Sequence, residues 1–334
     1  RSNGGEIELT QSLPGARTGD SVFPVISGDG CYVAVISEVP FDLFRDDDTG
    51  DRWDVYRMKL PSCGGSPNSW ELISTTAYRG DNPSAADDVD QRFPPAISGA
   101  GSVIAYTHQF DAAQPDLVGV IVVDLTIPIG QPGHALPVAG TPTAAPNTTY
   151  RYLGVREPSV SDDGQFVAFT SDANSNKATP DWSSGPIPGE FASAQVYVWD
   201  RLNPDPNTAV KRASLGIDST VNGEASSPAI SADGTYVAFT STAVNLVLGA
   251  SLPPCIDSCP PQIYRYNRLD DTIVLVSRVP ASISTQIIGS DLGATQPAIS
   301  SDGSQVAFVT RSTNLLTTRP AVGGTATDGD SMRL

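Results

Sequence analysis

Pro228-Ala-Ile-Ser-Ala-Asp-Gly-Thr-Tyr-Val-Ala-Phe-Thr-Ser241 is written five times in this chain, with small changes. The other copies open as Pro24-Val-Ile-Ser-Gly-Asp-Gly30, Pro95-Ala-Ile-Ser-Gly-Ala-Gly101, Pro158-Ser-Val-Ser-Asp-Asp-Gly164 and Pro297-Ala-Ile-Ser-Ser-Asp-Gly303. An apolar run follows each: Tyr32-Val-Ala-Val35, Val103-Ile-Ala-Tyr106, Phe166-Val-Ala-Phe169 and Val306-Ala-Phe308. The leading prolines stand 71, 63, 70 and 69 residues apart. A nearly constant period marks one supersecondary unit stacked on copies of itself. Over 334 residues it therefore argues for a single domain, 1–334, rather than two.

Each copy reads as a β-hairpin. The proline opens a short strand where a missing N–H is tolerated. Asp-Gly supplies a tight turn, and the aromatic and β-branched run is a second strand. Third strands are expected at Trp53–Arg57, Val118–Asp124, Gln195–Asp200 and Gln262–Asn267. Fourth strands ending in a hydroxyl residue are expected at Glu71–Ser74, Lys211–Ser214 and Val274–Ser277. Four antiparallel strands per repeat, without helical periodicity, make an all-β propeller blade. Glu8–Thr10 falls where a fourth strand should, and Ser331–Leu334 where a third should. Pairing of the two ends would close a five-bladed ring and remove its open edge. A six-bladed ring is the alternative count.

The string Pro-x-Ile-Ser-x-Asp-Gly-x-x-Val-Ala-Phe-x-Ser, with the later Asn245-Leu246 and Asn314-Leu315, resembles the repeat of TolB-like, PD40-type β-propellers. The likeness runs over essentially the whole chain and implies the propeller fold. It does not imply one activity, because such propellers include protein-binding domains and the propellers of peptidases. TolB itself has six blades, binds partner proteins and carries an N-terminal α/β domain; five motifs and no such domain are expected here, so its partners do not carry over to this chain.

A net charge of −17 and only three lysines, Lys59, Lys177 and Lys211, exclude a nucleic-acid binder, which needs clustered bases. Apolar runs such as Gly119–Val123 are too short to span a bilayer, so no membrane insertion is expected. Strand alternation puts the motif turns on one face of the disc and the longer connections on the other. Those connections include Glu38–Arg52, Thr75–Pro94, Ser171–Ala194, Thr242–Pro261 and Ser312–Gly329. Long loops on a rigid scaffold are where binding residues gather. Asp87, Asp88, Asp90, Asp172, Asp181, Glu190 and Asp257 make this the expected acidic binding face.

The cysteines sort by the same geometry. Cys31 and Cys63 share the turn face of the first blade, while Cys255 and Cys259 share one loop on the opposite face. Cys31–Cys63 with Cys255–Cys259 is the one connectivity that does not cross the disc. Two disulfides imply a secreted, extracellular or periplasmic setting.

Asp46-Asp-Asp-Thr-Gly-Asp-Arg-Trp-Asp54 is the candidate metal site, since closely spaced carboxylates in a Gly-containing loop can supply the oxygens Ca²⁺ needs. Asp46, Asp48 and Asp54 are the expected ligands, set against the plainer reading of a solvated turn-rich loop. Trp182 is a candidate for stacking on a sugar or a peptide, set against packing within its own loop. Enzyme signatures are missing. Gly19-Asp-Ser-Val-Phe23 lacks the second glycine of a nucleophile elbow, and His108 and His134 share no motif. The expected function is a non-catalytic scaffold that binds a protein or glycan on its long-loop face, with Ca²⁺ as the one candidate cofactor. The alternatives are a carbohydrate-active lyase or hydrolase built from paired carboxylates there, and a structural assembly subunit.

Overall fold

The computed structural model describes residues 19–38, 53–66, 69–74, 88–109, 118–138, 154–172, 194–205, 208–217, 222–255, 258–315 and 330–333. Among them the regular structure is β-strand, apart from a 3-10 turn at Pro61–Cys63. Three sheets are four-stranded antiparallel meanders in chain order. The first holds β1 (Ser21–Ile26), β2 (Tyr32–Ser37), β3 (Asp54–Lys59) and β4 (Trp70–Leu72). The second sheet holds β5 (Asp88–Val89), β6 (Ala96–Ile97), β7 (Val103–Gln109), β8 (Val118–Asp124) and β9 (Ala135–Pro137). The third holds β10 (Arg156–Val160), β11 (Phe166–Ser171), β12 (Gln195–Asp200) and β13 (Val210–Arg212). The fourth holds β14 (Ala225–Ile230), β15 (Tyr236–Ser241), β16 (Gln262–Asn267) and β17 (Thr272–Leu275). The fifth shows β18 (Ala294–Ile299), β19 (Val306–Thr310) and β20 (Asp330–Arg333). These are the blades of a β-propeller. The expected fourth strand at Glu8–Thr10 lies outside the described residues.

The motif serine explains why each hairpin forms. Its hydroxyl accepts the backbone N–H that opens the second strand, from Tyr32, Val103, Phe166, Tyr236 and Gln305, at 2.9–3.0 Å. It also donates to the motif aspartate, as in Ser27 to Asp29 and Ser300 to Asp302. The hydrogen bond from Ser27 holds Asp29 below the usual carboxylate range, and that from Ser300 helps bring Asp302 down to about 2.

The residue before the motif proline departs from ordinary strand geometry. Phe23, Glu157, Ser227 and Gln296 have φ of 52° to 56°, and the pairing with the second strand slips by one residue there. This is a β-bulge, and a left-handed non-glycine residue costs about 1–2 kcal/mol. The second blade has Pro94 at this point, and proline is confined to negative φ. Its inner strand is accordingly broken into β5 and β6, with Asp90–Pro95 between them.

Blades meet through a repeated contact. The alanine in the middle of each second strand packs with the β-branched residue before the motif serine of the next blade. The pairs are Ala34 with Ile97, Ala105 with Val160, Ala168 with Ile230 and Ala238 with Ile299, each pair in one apolar cluster. All four alanines are fully buried. Backbone hydrogen bonds run beside these contacts from turn to turn: Asp29 to Gly99, Gly99 to Asp162, Asp162 to Ala232 and Ala232 to Ser301, at 2.8–2.9 Å. Large cross-strand rings fill the blades, as in the stacked pairs Phe169–Tyr197 and Phe239–Tyr264.

Candidate functional site

On the long-loop face, the third strand begins at a residue opposite a serine: Asp54 opposite Ser37, Gln195 opposite Ser171, Gln262 opposite Ser241. Each of these acceptors takes a hydrogen bond from the serine after the fourth strand. Ser74 donates to Asp54 at 2.6 Å, Ser214 to Gln195 at 2.6 Å and Ser277 to Gln262 at 2.8 Å. The same hydroxyls accept the next backbone N–H, from Val55, Val196 and Ile263. Asp54 is therefore a buried part of a structural latch, a role that glutamine fills in two other blades. Asp46, Asp48 and Trp182 lie outside the described residues. No group of three or more metal-binding side chains is assembled among the described residues.

The latch also fixes loops. Gln262 accepts from the backbone and hydroxyl of Ser290 and donates to its carbonyl, while Gln195 donates to the Gly223 carbonyl. Around this anchor the loop after β15 and the link between the fourth and fifth blades cross-bridge. Ser251 pairs with Ile288 and Arg278 with Gly289, and Gly289 N–H donates to the Ser251 carbonyl at 3.0 Å. Asp291 accepts from both the backbone and the hydroxyl of Thr313, and Asn314 donates to Gly289. The Cys255–Cys259 disulfide closes the same loop, and Cys31–Cys63 ties the first motif turn to the 3-10 turn on the opposite face. Sequence reasoning found both bridges.

This platform carries exposed aliphatic side chains. Ile217, Val244, Leu248, Ile283 and Leu292 all present apolar surface, Leu248 being 79% exposed. Of the acidic residues expected to charge the face, two are neutralised locally. Asp90 is held by Arg92 at 2.7 Å and Asp172 by Arg156 at 2.8 Å. The Asp88 side chain and Asp87, Asp181, Glu190 and Asp257 lie outside the described residues.

Several ionisable groups elsewhere among the described residues serve the fold. His134 is buried with Nδ1 against the Ile127 carbonyl, and His108 meets Tyr106 edge-on. Burial pushes the Tyr197 hydroxyl up to about 12. Asp124 and Arg201 form an ion pair of 2.8 Å between the second and third blades, both side chains nearly buried. Desolvation opposes the Asp124 charge, but hydrogen bonds from Thr126 and Arg201 prevail and hold it below 3.8.

Antiparallel sheets, three of them four-stranded, packed face to face by a common repeat define a β-propeller. Solved structures of similar shape include TolB from Acinetobacter baumannii, at 16% identity and TM-score 0.44, covering 88% of this chain and 49% of that one. The putative TolB from Agrobacterium tumefaciens is 16% identical, with TM-score 0.47 and coverage of 89% and 71%. The β-propeller domain of the Trilobed protease from Pyrococcus furiosus is 11% identical, with TM-score 0.37 and coverage of 88% and 79%. This chain spans about half the length of the Acinetobacter protein. No protein-family model matches the chain, and no curated protein does.

Asp124→Asn should cost about 2 kcal/mol at pH 7, the worth of hydrogen bonds to a charged group. Because the folded pKa of Asp124 is depressed, its contribution is complete above about 3.8 and is lost as pH falls through the folded value. Urea unfolding of both proteins from pH 7 to pH 2.5 should show the gap narrowing below pH 4. A gap that is constant with pH would reject the ion pair as its source.

Proposed function

We propose that this chain is a non-catalytic propeller scaffold that binds a protein partner through its long-loop face, with the cross-bridged platform over the fourth and fifth blades as the contact surface. The observation that carries the reading is aliphatic surface on fixed loops. Leu248 and Leu292 are exposed on segments held by the Gln262 latch and the Ser251–Ile288 bridge, and Ile217, also exposed, donates its N–H to the Asn245 carbonyl. Fixed loops give up little entropy on binding, and exposed apolar side chains beside polar backbone are what a protein interface buries. Aliphatic groups suit a protein surface better than a sugar, which favours aromatic stacking. The surplus of acidic residues, 37 against 20 basic ones, would favour a basic partner through long-range attraction. Two disulfides fit a secreted, extracellular or periplasmic setting.

A Ca²⁺ ion ordering the loop before β3 is part of the proposal. With Asp54 engaged by Ser74, Asp46 and Asp48 would be its carboxylate ligands.

The partner captured by the immobilised chain from envelope and secreted fractions should be lost about tenfold or more on a Leu248→Asp/Leu292→Asp protein of unchanged Tm. Equal capture would remove the platform as the contact surface. Melting with added Ca²⁺ and with EDTA tests the ion separately. Tm should rise with Ca²⁺ in the wild type and not in Asp46→Asn/Asp48→Asn, and an unchanged wild-type Tm would remove Ca²⁺ from the proposal.

A further inference from the structure

Between the third and fourth blades, two donors converge on one carboxylate oxygen. The Thr170 hydroxyl donates to Glu157 Oε2 at 2.7 Å, and the backbone N–H of Ser227, from the next blade, donates to the same atom at 2.7 Å. None of the ion pairs among the described residues involves Glu157, so neutral donors hold its charge in place.

The seam between the fourth and fifth blades repeats this arrangement with the acceptor missing. Ile299 packs with Ala238 as Ile230 does with Ala168, and Ala232 N–H donates to Ser301 as Asp162 N–H does to Ala232. In strand register Thr240 holds the place of Thr170, and Gln296 that of Ser227, with φ of 54° at both bulges. Ser227 in turn holds the place of Glu157, and its side chain is too short to reach as the glutamate does. The Thr240 hydroxyl is buried without a hydrogen-bond partner among the described residues, the residue being 8% exposed. An unpaired buried hydroxyl is costly, which calls for an occupant. Between the first and second blades neither donor exists, because Ile36 replaces the hydroxyl and Pro94 the N–H. Thr107, between the second and third blades, is also unpartnered. The residue at the place of Glu157 there is Pro94, whose ring leaves less room than a serine.

We propose that the slot bounded by Thr240, Ser227 and Gln296 is a binding site for a carboxylate group, brought by a small organic acid or by a polypeptide. The Thr240 hydroxyl and the Gln296 N–H are its donors, in the roles that Thr170 and Ser227 play toward Glu157. Ser227 is partly buried and Gln296 exposed, so the slot is approached from solvent while Thr240 forms its floor. Both first strands, β14 and β18, start at the long-loop face, and the slot lies two residues in from their first residues. Substituting Leu248 and Leu292 leaves these donors untouched, so the slot and the platform are tested separately.

The probe is sodium acetate, compared with sodium chloride at equal ionic strength while the melting of the full chain is followed. Tm should rise saturably with acetate, by about 2 °C or more over the chloride control. Thr240→Val removes a donor that has no partner in the free protein, so its own Tm should be kept and its response to acetate lost. Ser227→Glu should supply the acceptor within the chain, raising Tm in chloride and abolishing the response, since Glu157 already adopts the same backbone conformation. That gain should vanish in Ser227→Glu/Thr240→Val. Acetyl-diglycine with a free carboxylate, set against its amide, distinguishes the two sources. Saturation at about tenfold lower concentration than acetate assigns the site to a polypeptide, and equal or weaker binding assigns it to a small acid. Equal responses to acetate and chloride, or a response that Thr240→Val retains, overturn the proposal and leave the slot to water.

Discussion

The contact on which the rest of this molecule depends is a β-branched side chain laid on an alanine of the blade before it. A four-stranded sheet cannot bury both faces alone, so each blade is stable only as far as its neighbours cover it. The alanine is needed because the neighbour brings backbone close as well as side chain. The motif turns are near enough for their amides and carbonyls to bond in series from Asp29 to Ser301. A larger residue at Ala168 or Ala238 would push that series apart. The serine and aspartate of the motif then act locally, fixing the turn that presents the β-branched residue and the glycine to the next blade.

Much of this was legible in the sequence because it is periodic. The motif spacing located the hairpins, and the expected third strands at Val118–Asp124, Gln195–Asp200 and Gln262–Asn267 coincide with β8, β12 and β16. The disulfide pairing followed from which face each cysteine occupies. What escaped notice was where repeats differ or where one residue serves a non-local partner. Pro94 could have been recognised as incompatible with a left-handed bulge, but the bulge itself leaves no sequence signal in Phe23, Glu157, Ser227 or Gln296. Asp54 sits in an acidic run and so read as a metal ligand. Its equivalence to Gln195 and Gln262 emerges only from strand register. The acidic long-loop face was read from charge counts, which do not reveal that Arg92 and Arg156 neutralise Asp90 and Asp172.

Polar residues thus divide by burial rather than by type. Those inside, the serine–glutamine latches and the Asp124–Arg201 pair, hold loops and blades in place. The surface they position over the fourth and fifth blades carries exposed aliphatic side chains among polar ones. A scaffold built this way keeps recognition surface rigid while leaving its chemistry free to vary, as connecting loops on stable frames generally do.

The most direct test compares two isoleucines at the same place in the repeat. In urea unfolding, Ile230→Ala should lose about 2–4 kcal/mol, as buried isoleucines do. Ile26→Ala should stay within about 0.5 kcal/mol of the wild type, as substitutions at exposed positions do. A comparable loss at both would contradict the account, since the loss would then not depend on burial against the alanine of the preceding blade.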